Sequence, residues 1–208
     1  MPLAARPWLT AVLFGLMALS PAHAGMTPEE VKAFDGYKAQ AEKGDRVAQN
    51  NLGVCYEKGL GVAKDEVQAV SWYRKAADQG YAKAQSNLGV CYEVGKGVAK
   101  DEVLAVSWYR KAAEQGDAAA QSNLGVAYHY GRGVIKNEIE AYAFYNLAGI
   151  TNERARSNLA ILEKGMSPDA RLLGQRRTIQ LQKEIEGRLE TLDDLRKAAE
   201  KESLRKGA

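Results

Sequence analysis

Histidine and cysteine are scarce in this chain of 208 residues, which contains two of each. The histidines are His23 and His129, and His23 lies in an N-terminal segment that we expect to be removed. A metal cluster of several histidines is therefore excluded, and a catalytic triad would rest on His129 alone. We expect no metal, no cofactor, no catalytic residue and no enzymatic activity.

An excess of charge of one sign is also lacking. The chain has 29 basic and 26 acidic side chains, whereas proteins that bind nucleic acids usually carry a clustered basic face. We therefore expect no nucleic acid among the partners of this protein.

Long apolar runs are absent apart from one near the N-terminus, from Trp8 to Leu19. Arg6 precedes this run, and the string Ser20-Pro21-Ala22-His23-Ala24 follows it. That order is typical of a secretory signal peptide, so we predict cleavage after Ala24. The run is too short to span a bilayer comfortably, and a retained N-terminal anchor is the alternative. We expect a periplasmic or secreted protein without a stable membrane span.

The chain does contain a block of 36 residues that occurs three times in tandem. Residues 45–80 and 81–116 agree at 28 of 36 positions, and residues 117–152 keep 17 of the residues of the second copy. A fixed period of this length indicates a stacked-repeat architecture. We divide the chain into a signal peptide (1–24), a solenoid (25–165) and a C-terminal capping helix with a charged tail (166–208). The solenoid comprises a half repeat (27–44), the three full repeats and a degenerate repeat helix (153–165).

Each repeat has the pattern of two amphipathic helices joined by a turn. Leu52 and Tyr56 share one face of the first helix, and Tyr73 and Ala77 share one face of the second. The Gly-x-Gly string that begins at Gly59 separates them. We interpret it as a hairpin turn and not as a phosphate-binding loop, because no third glycine or Gly-Lys-Ser follows. The sequence thus predicts an all-α solenoid of about four helix hairpins with a long C-terminal capping helix.

Capping residues mark the second helix of each repeat. Asp65 stands where an N-cap acceptor is needed, and Gly80 stands where a left-handed residue ends the helix. In the third copy Asn137 takes the place of the aspartate and Asn152 that of the glycine. We expect both asparagines to keep the backbone roles of the residues they replace.

Two strings, AQNNLGVCYEKGLGVAKDEVQAVSWYRKAADQG and AQSNLGVCYEVGKGVAKDEVLAVSWYRKAAEQG, closely resemble Sel-one-like repeats (SLR), the 36-residue relatives of tetratricopeptide repeats. The resemblance covers roughly residues 33 to 190. It implies a right-handed superhelix of antiparallel helix pairs that serves as an adaptor for protein partners. Bacterial proteins of this kind look like regulators, assembly scaffolds or host-interaction factors of the envelope. An envelope hydrolase acting on β-lactams or peptidoglycan-like substrates is the alternative function, and no constellation of residues supports it.

A partner-binding face follows from the helical spacing. Ala48, Leu52 and Tyr56 define the packed face of the first helix, so the opposite side is expected to line the inner, concave curve of the solenoid. The tetratricopeptide resemblance implies ligand contacts on the same face. The predicted binding residues form rows across the copies: Asn50, Ser86 and Ser122; Val54, Val90 and Val126; Glu57, Glu93 and His129; and Tyr130 at the border. Exposed valine at three matching sites has no stability rationale, and such a row suits a peptide or protein partner. Ordinary solvent-facing helix is the alternative at each position.

Asparagine also repeats without exception at positions 51, 87 and 123. A side-chain amide there can bond a neighbouring loop carbonyl or a bound peptide backbone. We favour the structural role.

The two cysteines, Cys55 and Cys91, occupy the same position in neighbouring copies. Equivalent positions on stacked helices lie about 8 to 10 Å apart, whereas a disulfide needs Cα atoms within about 7 Å. We expect buried thiols and no disulfide, although an exported chain with an even cysteine count leaves the bridge as an alternative.

The C-terminal stretch differs in composition from the repeats. Ser167-Pro168-Asp169 predicts the start of the last long helix, and Thr191-Leu192-Asp193-Asp194 is a candidate start for a second, short one. Apolar residues form an incomplete stripe with few and irregular heptads. We therefore expect a monomer, with a coiled-coil dimer as the alternative.

Overall fold

The structure is a computed structural model that describes residues 26–206. Within this range the chain forms nine α-helices and no strand. They are α1 (Pro28–Glu42), α2 (Arg46–Lys58), α3 (Glu66–Asp78), α4 (Ala82–Val94), α5 (Glu102–Ala113), α6 (Ala118–Tyr130), α7 (Glu138–Gly149), α8 (Glu153–Glu163) and α9 (Pro168–Lys206). The all-α prediction is confirmed. The predicted signal peptide lies outside the described residues.

Successive helices pack side by side in a continuous stack. The three repeats are the pairs α2 and α3, α4 and α5, and α6 and α7, and each second helix also packs on the first helix of the next pair. The helix α1 packs on α2 as a half repeat, and α8 packs on α7. The predicted repeat solenoid is therefore confirmed.

A tyrosine ring resting on a glycine holds each hairpin together. Tyr73, Tyr109 and Tyr145 occupy equivalent positions in the second helices and are fully buried. A Cβ atom added to Gly53 would lie 2.7 Å from the Tyr73 ring. The same close approach recurs in the next two repeats. Glycine is thus needed after the buried leucine of each first helix because the ring fills the space that a side chain would occupy.

The second glycine of each Gly-x-Gly turn joins one repeat to the preceding one. Gly97 has a φ of +66°, and a Cβ atom there would lie 2.1 Å from the backbone oxygen of Glu66, at the start of α3. Gly61 makes the same approach to Glu30. The positive φ confirms the hairpin-turn interpretation, and the contact adds a role that the sequence did not reveal.

Glutamines connect neighbouring helices both between repeats and within them. Gln85 is buried, and its Nε2 atom donates to the carbonyl oxygen of Ala77, at the end of α3. The Nε2 atom of Gln115 then donates to Gln85 Oε1 at 2.8 Å. Gln49 and Gln79 make the matching bond one repeat earlier. These amides satisfy carbonyl groups at the buried helix ends, which would otherwise lack a partner.

The two capping asparagines behave differently. Asn137 caps α7, since its Oδ1 atom accepts from the backbone of Ile139 and Glu140 as predicted. Asn152 does not end α7 in the left-handed conformation, so that expectation is wrong. Its φ is −120°, and its side chain accepts from Ala155 as the N-cap of α8. The N-caps of α7 and α8 lie 15 residues apart, whereas those of α3 and α4 and those of α5 and α6 lie 16 residues apart. Asn152 therefore caps the following helix.

The C-terminal stretch forms one helix. The N-terminal end of α9 is capped by Ser167, whose Oγ atom accepts from Ala170. A second helix at Thr191 is wrong, because α9 continues without a break to Lys206. Thr191 instead bonds back to the carbonyl oxygen of Gly187, and Asp193 pairs with Lys197 along the helix.

The two cysteines lie in the core. Cys55 and Cys91 are buried and unpaired in the structure. Burial raises the pKa of both thiols, to about 11 for Cys91. They act as small apolar side chains and are poor nucleophiles in this setting.

Replacement of Gly97 by alanine tests the contact between repeats. We expect Gly97→Ala to lower the free energy of unfolding by about 2 to 5 kcal/mol, because alanine is strained at positive φ and its Cβ would displace the Glu66 backbone. Chemical denaturation followed by circular dichroism measures the change. The control is Gly36→Ala in α1, where no atom lies within 4 Å of the added Cβ. That variant should be stabilised by about 0.5 to 1 kcal/mol, and equal effects in the two proteins would contradict the proposed contact.

Candidate functional site

A groove of about 790 Å³ lies between α4 and α6, the first helices of the second and third repeats. Four of the residues predicted to bind a partner line it, namely Val90, Glu93, Ser122 and Val126. The structure therefore brings part of the predicted face together on one surface. Whether this surface binds a partner stays a prediction.

The valine row is less exposed than the sequence suggested. Val54, Val90 and Val126 are half-buried and pack against the core. The expectation that they are exposed without a stability rationale is wrong, since each shields core residues. The exposed apolar side chains of this face lie at its border. Val94 and Tyr130, which occupy the same position in successive copies, are 61% and 59% exposed.

The polar row of Asn50, Ser86 and Ser122 is buried, so the expectation that these side chains point away from the packed face is wrong, although Ser122 still borders the groove. Packing within one hairpin buries only one face of a first helix. A first helix inside a stack also contacts the first helices on either side of it, and its buried arc is therefore wider. Asn50 illustrates the result, because its Oδ1 atom accepts from Asn87 Nδ2 of the next repeat at 2.9 Å. Asn87 is thus structural, as favoured, but its partner is a side chain and not a loop carbonyl.

The acidic row links neighbouring repeats. The Tyr73 hydroxyl donates to Glu57 at 2.5 Å, and Lys96 in the turn of the next repeat pairs with the same carboxylate at 2.6 Å. Burial alone would raise the pKa of Glu57, but the hydrogen bonds from Lys96 and Tyr73 lower it below its usual value. One repeat later, Tyr109 donates to Glu93 at 2.7 Å and Arg132 lies 3.9 Å away. These carboxylates hold the stack together and are largely occupied by internal partners.

His129 ends this row in the third repeat. Its Nδ1 atom lies 3.5 Å from the Tyr145 hydroxyl, and its ring stacks on Tyr130 at 4.3 Å between centroids. A cation from a following Gly-x-Gly turn is not available here, because α8 leads directly into the short link before α9. Burial lowers the pKa of His129 and the charge of Lys136 lowers it further. An imidazole with a lowered pKa therefore replaces the carboxylate in the repeat that has no cation from a following turn to pair with it.

Positive charge predominates in the groove. Lys100 is paired with Glu102 at 2.7 Å, whereas Arg132 approaches Glu93 only at 3.9 Å. Arg154, at the start of α8, lines the groove and takes part in none of the ion pairs found among the described side chains. The groove thus offers half-buried and exposed valines beside two weakly compensated guanidinium groups. Such groups bind carboxylates with good geometry.

Sequence reasoning missed Arg154 because it lies outside the 36-residue register. Arg154 is 35 residues from Ala119, which lines the same groove. An alignment that allowed for the spacing before α8, which is one residue shorter, would have shown that Arg154 is equivalent to Ala119. Among the side chains that the structure describes, no group of three or more could hold a metal ion. None of the helices in this part of the chain has the length and apolar character that a bilayer crossing needs.

Comparison with known proteins identifies the repeats. The model of the Sel1 repeat matches residues 46–81, 82–117 and 118–149. The chain belongs to the Sel1 repeat family. Sel1 repeats generally mediate protein–protein interaction and typically form a scaffold without enzymatic activity.

Two solved structures are similar to this chain. The crystal structure of a Sel1 repeat protein from Oxalobacter formigenes is 42% identical, with a TM-score of 0.57, over 64% of this chain and 58% of that one. The crystal structure of c5321, a protective antigen present in uropathogenic Escherichia coli strains that displays an SLR fold, is 33% identical, with a TM-score of 0.47, over 79% of this chain and 44% of that one. This chain therefore spans less than two thirds of either protein. A search of curated proteins gives no match.

The state of His129 gives a pH-dependent prediction. The pKa of His129 is lowered in the folded protein, so the unfolded chain binds this proton more readily. Its contribution to stability should be complete above the ordinary histidine pKa of about 6.5 and should be lost as the pH falls through the lower folded-state value. Denaturation at a series of pH values from about 8 to 5 measures this effect. His129→Gln should remove the His129-dependent part of the slope, and identical slopes in the two proteins would rule out this role.

Proposed function

We propose that this Sel1 repeat protein is an exported adaptor whose groove between α4 and α6 holds an extended segment of a protein partner. The observation that supports this most directly is the exposed Val94 beside Arg132 and Arg154, two cations with little internal compensation. The general role of Sel1 repeats in protein–protein interaction points in the same direction.

The chemistry of the groove indicates the kind of segment that fits. An apolar side chain of the partner packs against Val94 and the half-buried Val90 and Val126. A carboxylate of the same segment binds Arg154 and Arg132, because Arg presents several N–H donors in one plane. The tightly bound Glu57 and the buried Asn50 take no part in this contact.

An envelope role requires export, and the N-terminal sequence supports it. The apolar run from Trp8 to Leu19 and the small residues Ala22 and Ala24 have the order of a cleavable leader. Within the envelope, the adaptor would regulate or assemble its partner. The adaptor would do so by holding the partner in the groove.

Export gives a first test. When the full chain is expressed in a bacterial host, we expect the envelope fraction to contain a mature form that begins at Gly25. Intact-mass measurement and N-terminal sequencing of the purified protein identify the first residue. A purified protein that still starts at Met1 and is found in the cytoplasm would contradict the export proposal.

Site-specific photocrosslinking tests the groove. A photoreactive phenylalanine analogue at position 94 should give a discrete crosslinked product in cells that express the full chain. The matched control is the same analogue at Val67 on α3, which is 66% exposed and lies outside the groove. We expect the product at position 94 to fall roughly tenfold when Arg154→Glu is added, as for a loss of about 1.4 kcal/mol of binding free energy. Equal crosslinking at both positions, or no effect of Arg154→Glu, would argue against binding in the groove.

A further inference from the structure

The long helix α9 has a firmly packed first half. Leu181 is buried in the same core cluster as Phe144 of α7. Arg177 pairs with Glu140 at 2.8 Å, and a Cβ atom added to Gly174 would lie 2.6 Å from the Tyr142 ring. These contacts fix the direction of α9 along the side of the solenoid.

The second half of α9 is held much more loosely. From Glu186 onward, every side chain that the structure describes in this helix is exposed. One ion pair reaches back to the repeats, from Arg188 to Glu114 at 2.7 Å. Most helical stability in proteins comes from packing of an apolar face and not from helix propensity. This segment therefore gains stability from anything that packs beside it.

A cleft of about 1050 Å³ separates this half of α9 from the ends of α3 and α5. Leu189 and Leu192 of α9 form its apolar wall, and Gln79 and Gln115 belong to the opposite side. A helix about 10 Å wide that rises about 5.4 Å per turn fills roughly 420 Å³ per turn, so the cleft accommodates roughly two turns.

The charges around this cleft are unbalanced. Four cations line it, namely Arg46, Lys111, Arg188 and Arg196, together with two acids, Glu114 and Asp193. Both acids already have partners within the chain, since Glu114 binds Arg188 and Asp193 binds Lys197 at 2.6 Å. Arg46, Lys111 and Arg196 have no carboxylate partner among the side chains that the structure describes.

We propose that the cleft between α9 and the repeat ends is a second docking site, and that it binds an amphipathic helix of a partner protein with acidic residues beside its apolar face. The apolar face packs on Leu189 and Leu192, and the carboxylates pair with Arg46, Lys111 and Arg196. This is the helix-in-groove mode of recognition, in which apolar anchors at helical spacing give affinity. The residues that line this cleft are different from those that line the groove between α4 and α6. The protein can therefore hold two segments at once.

Binding of a synthetic peptide tests the site on the full mature chain. The probe is a fluorescent peptide of about 14 residues, with leucine on one helical face and glutamate on the other, and its counterpart has lysine in place of each glutamate. Fluorescence anisotropy measures the affinity. We expect the acidic peptide to bind at least about tenfold more tightly than the basic one, with an affinity that falls as salt is added.

Matched variants locate the binding. Leu192→Glu should weaken the binding of the acidic peptide at least about tenfold. Leu195→Glu, on the same helix but outside the cleft and 62% exposed, should leave the affinity within about twofold. Arg196→Glu should weaken binding, whereas Arg176→Glu in the first half of α9 should not. Circular dichroism checks that each variant keeps its helical content, and Arg196→Glu keeps the test decisive if Leu192→Glu unfolds.

Several results would overturn the proposal. They are equal binding of the two peptides, no binding of either, or equal loss of affinity in Leu192→Glu and Leu195→Glu. Loss of peptide binding in Arg154→Glu would assign the peptide to the other groove. Sedimentation that shows a dimer of the wild type, dissociated by Leu192→Glu, would assign the cleft to a second copy of the chain.

Discussion

The contact between a tyrosine ring and a glycine is the constraint on which the rest of the structure depends. Because Tyr73 lies against Gly53 with no room for a Cβ atom, the two helices of a repeat pack closely at this point. The same contact directs the tyrosine hydroxyl to Glu57 on the first helix. This one contact therefore sets both the distance between the helices and the position of the carboxylate that binds the next repeat.

This carboxylate explains why the proposed binding surface lies at the border of the face and not at its centre. Glu57 is occupied by Tyr73 and by Lys96 of the following turn, and the asparagines beside it bond to each other across repeats. Polar groups at the centre of the stack are thus used for cohesion. The groups that remain for a partner lie at positions where the repeat pattern changes, such as Val94 and Arg154.

The sequence predicted the fold well because its information is local and repeated. Helix faces, the capping Asp65 and the glycine turns each depend on a few neighbouring residues. The same pattern in three copies predicts the same pair of helices each time. The surface was predicted less well, because burial of Asn50, Ser86 and Ser122 depends on neighbouring repeats that a single hairpin does not include. The continuous α9 lies outside the repeat altogether, and so does the wall that it gives to the cleft. Their position depends on long-range pairs such as Arg188 with Glu114, which no periodicity reveals.

The pairing of each glutamate with a cation from the following turn makes the units interchangeable. Lys96 and Arg132 occupy the same place in successive copies, and both bring a positive charge to the carboxylate of the copy before. Excision of residues 81–116 would place Arg132 beside Glu57 and keep a cation against the carboxylate at that junction. The protein can therefore be lengthened or shortened over evolutionary time in whole steps of one repeat, while its two ends stay unchanged.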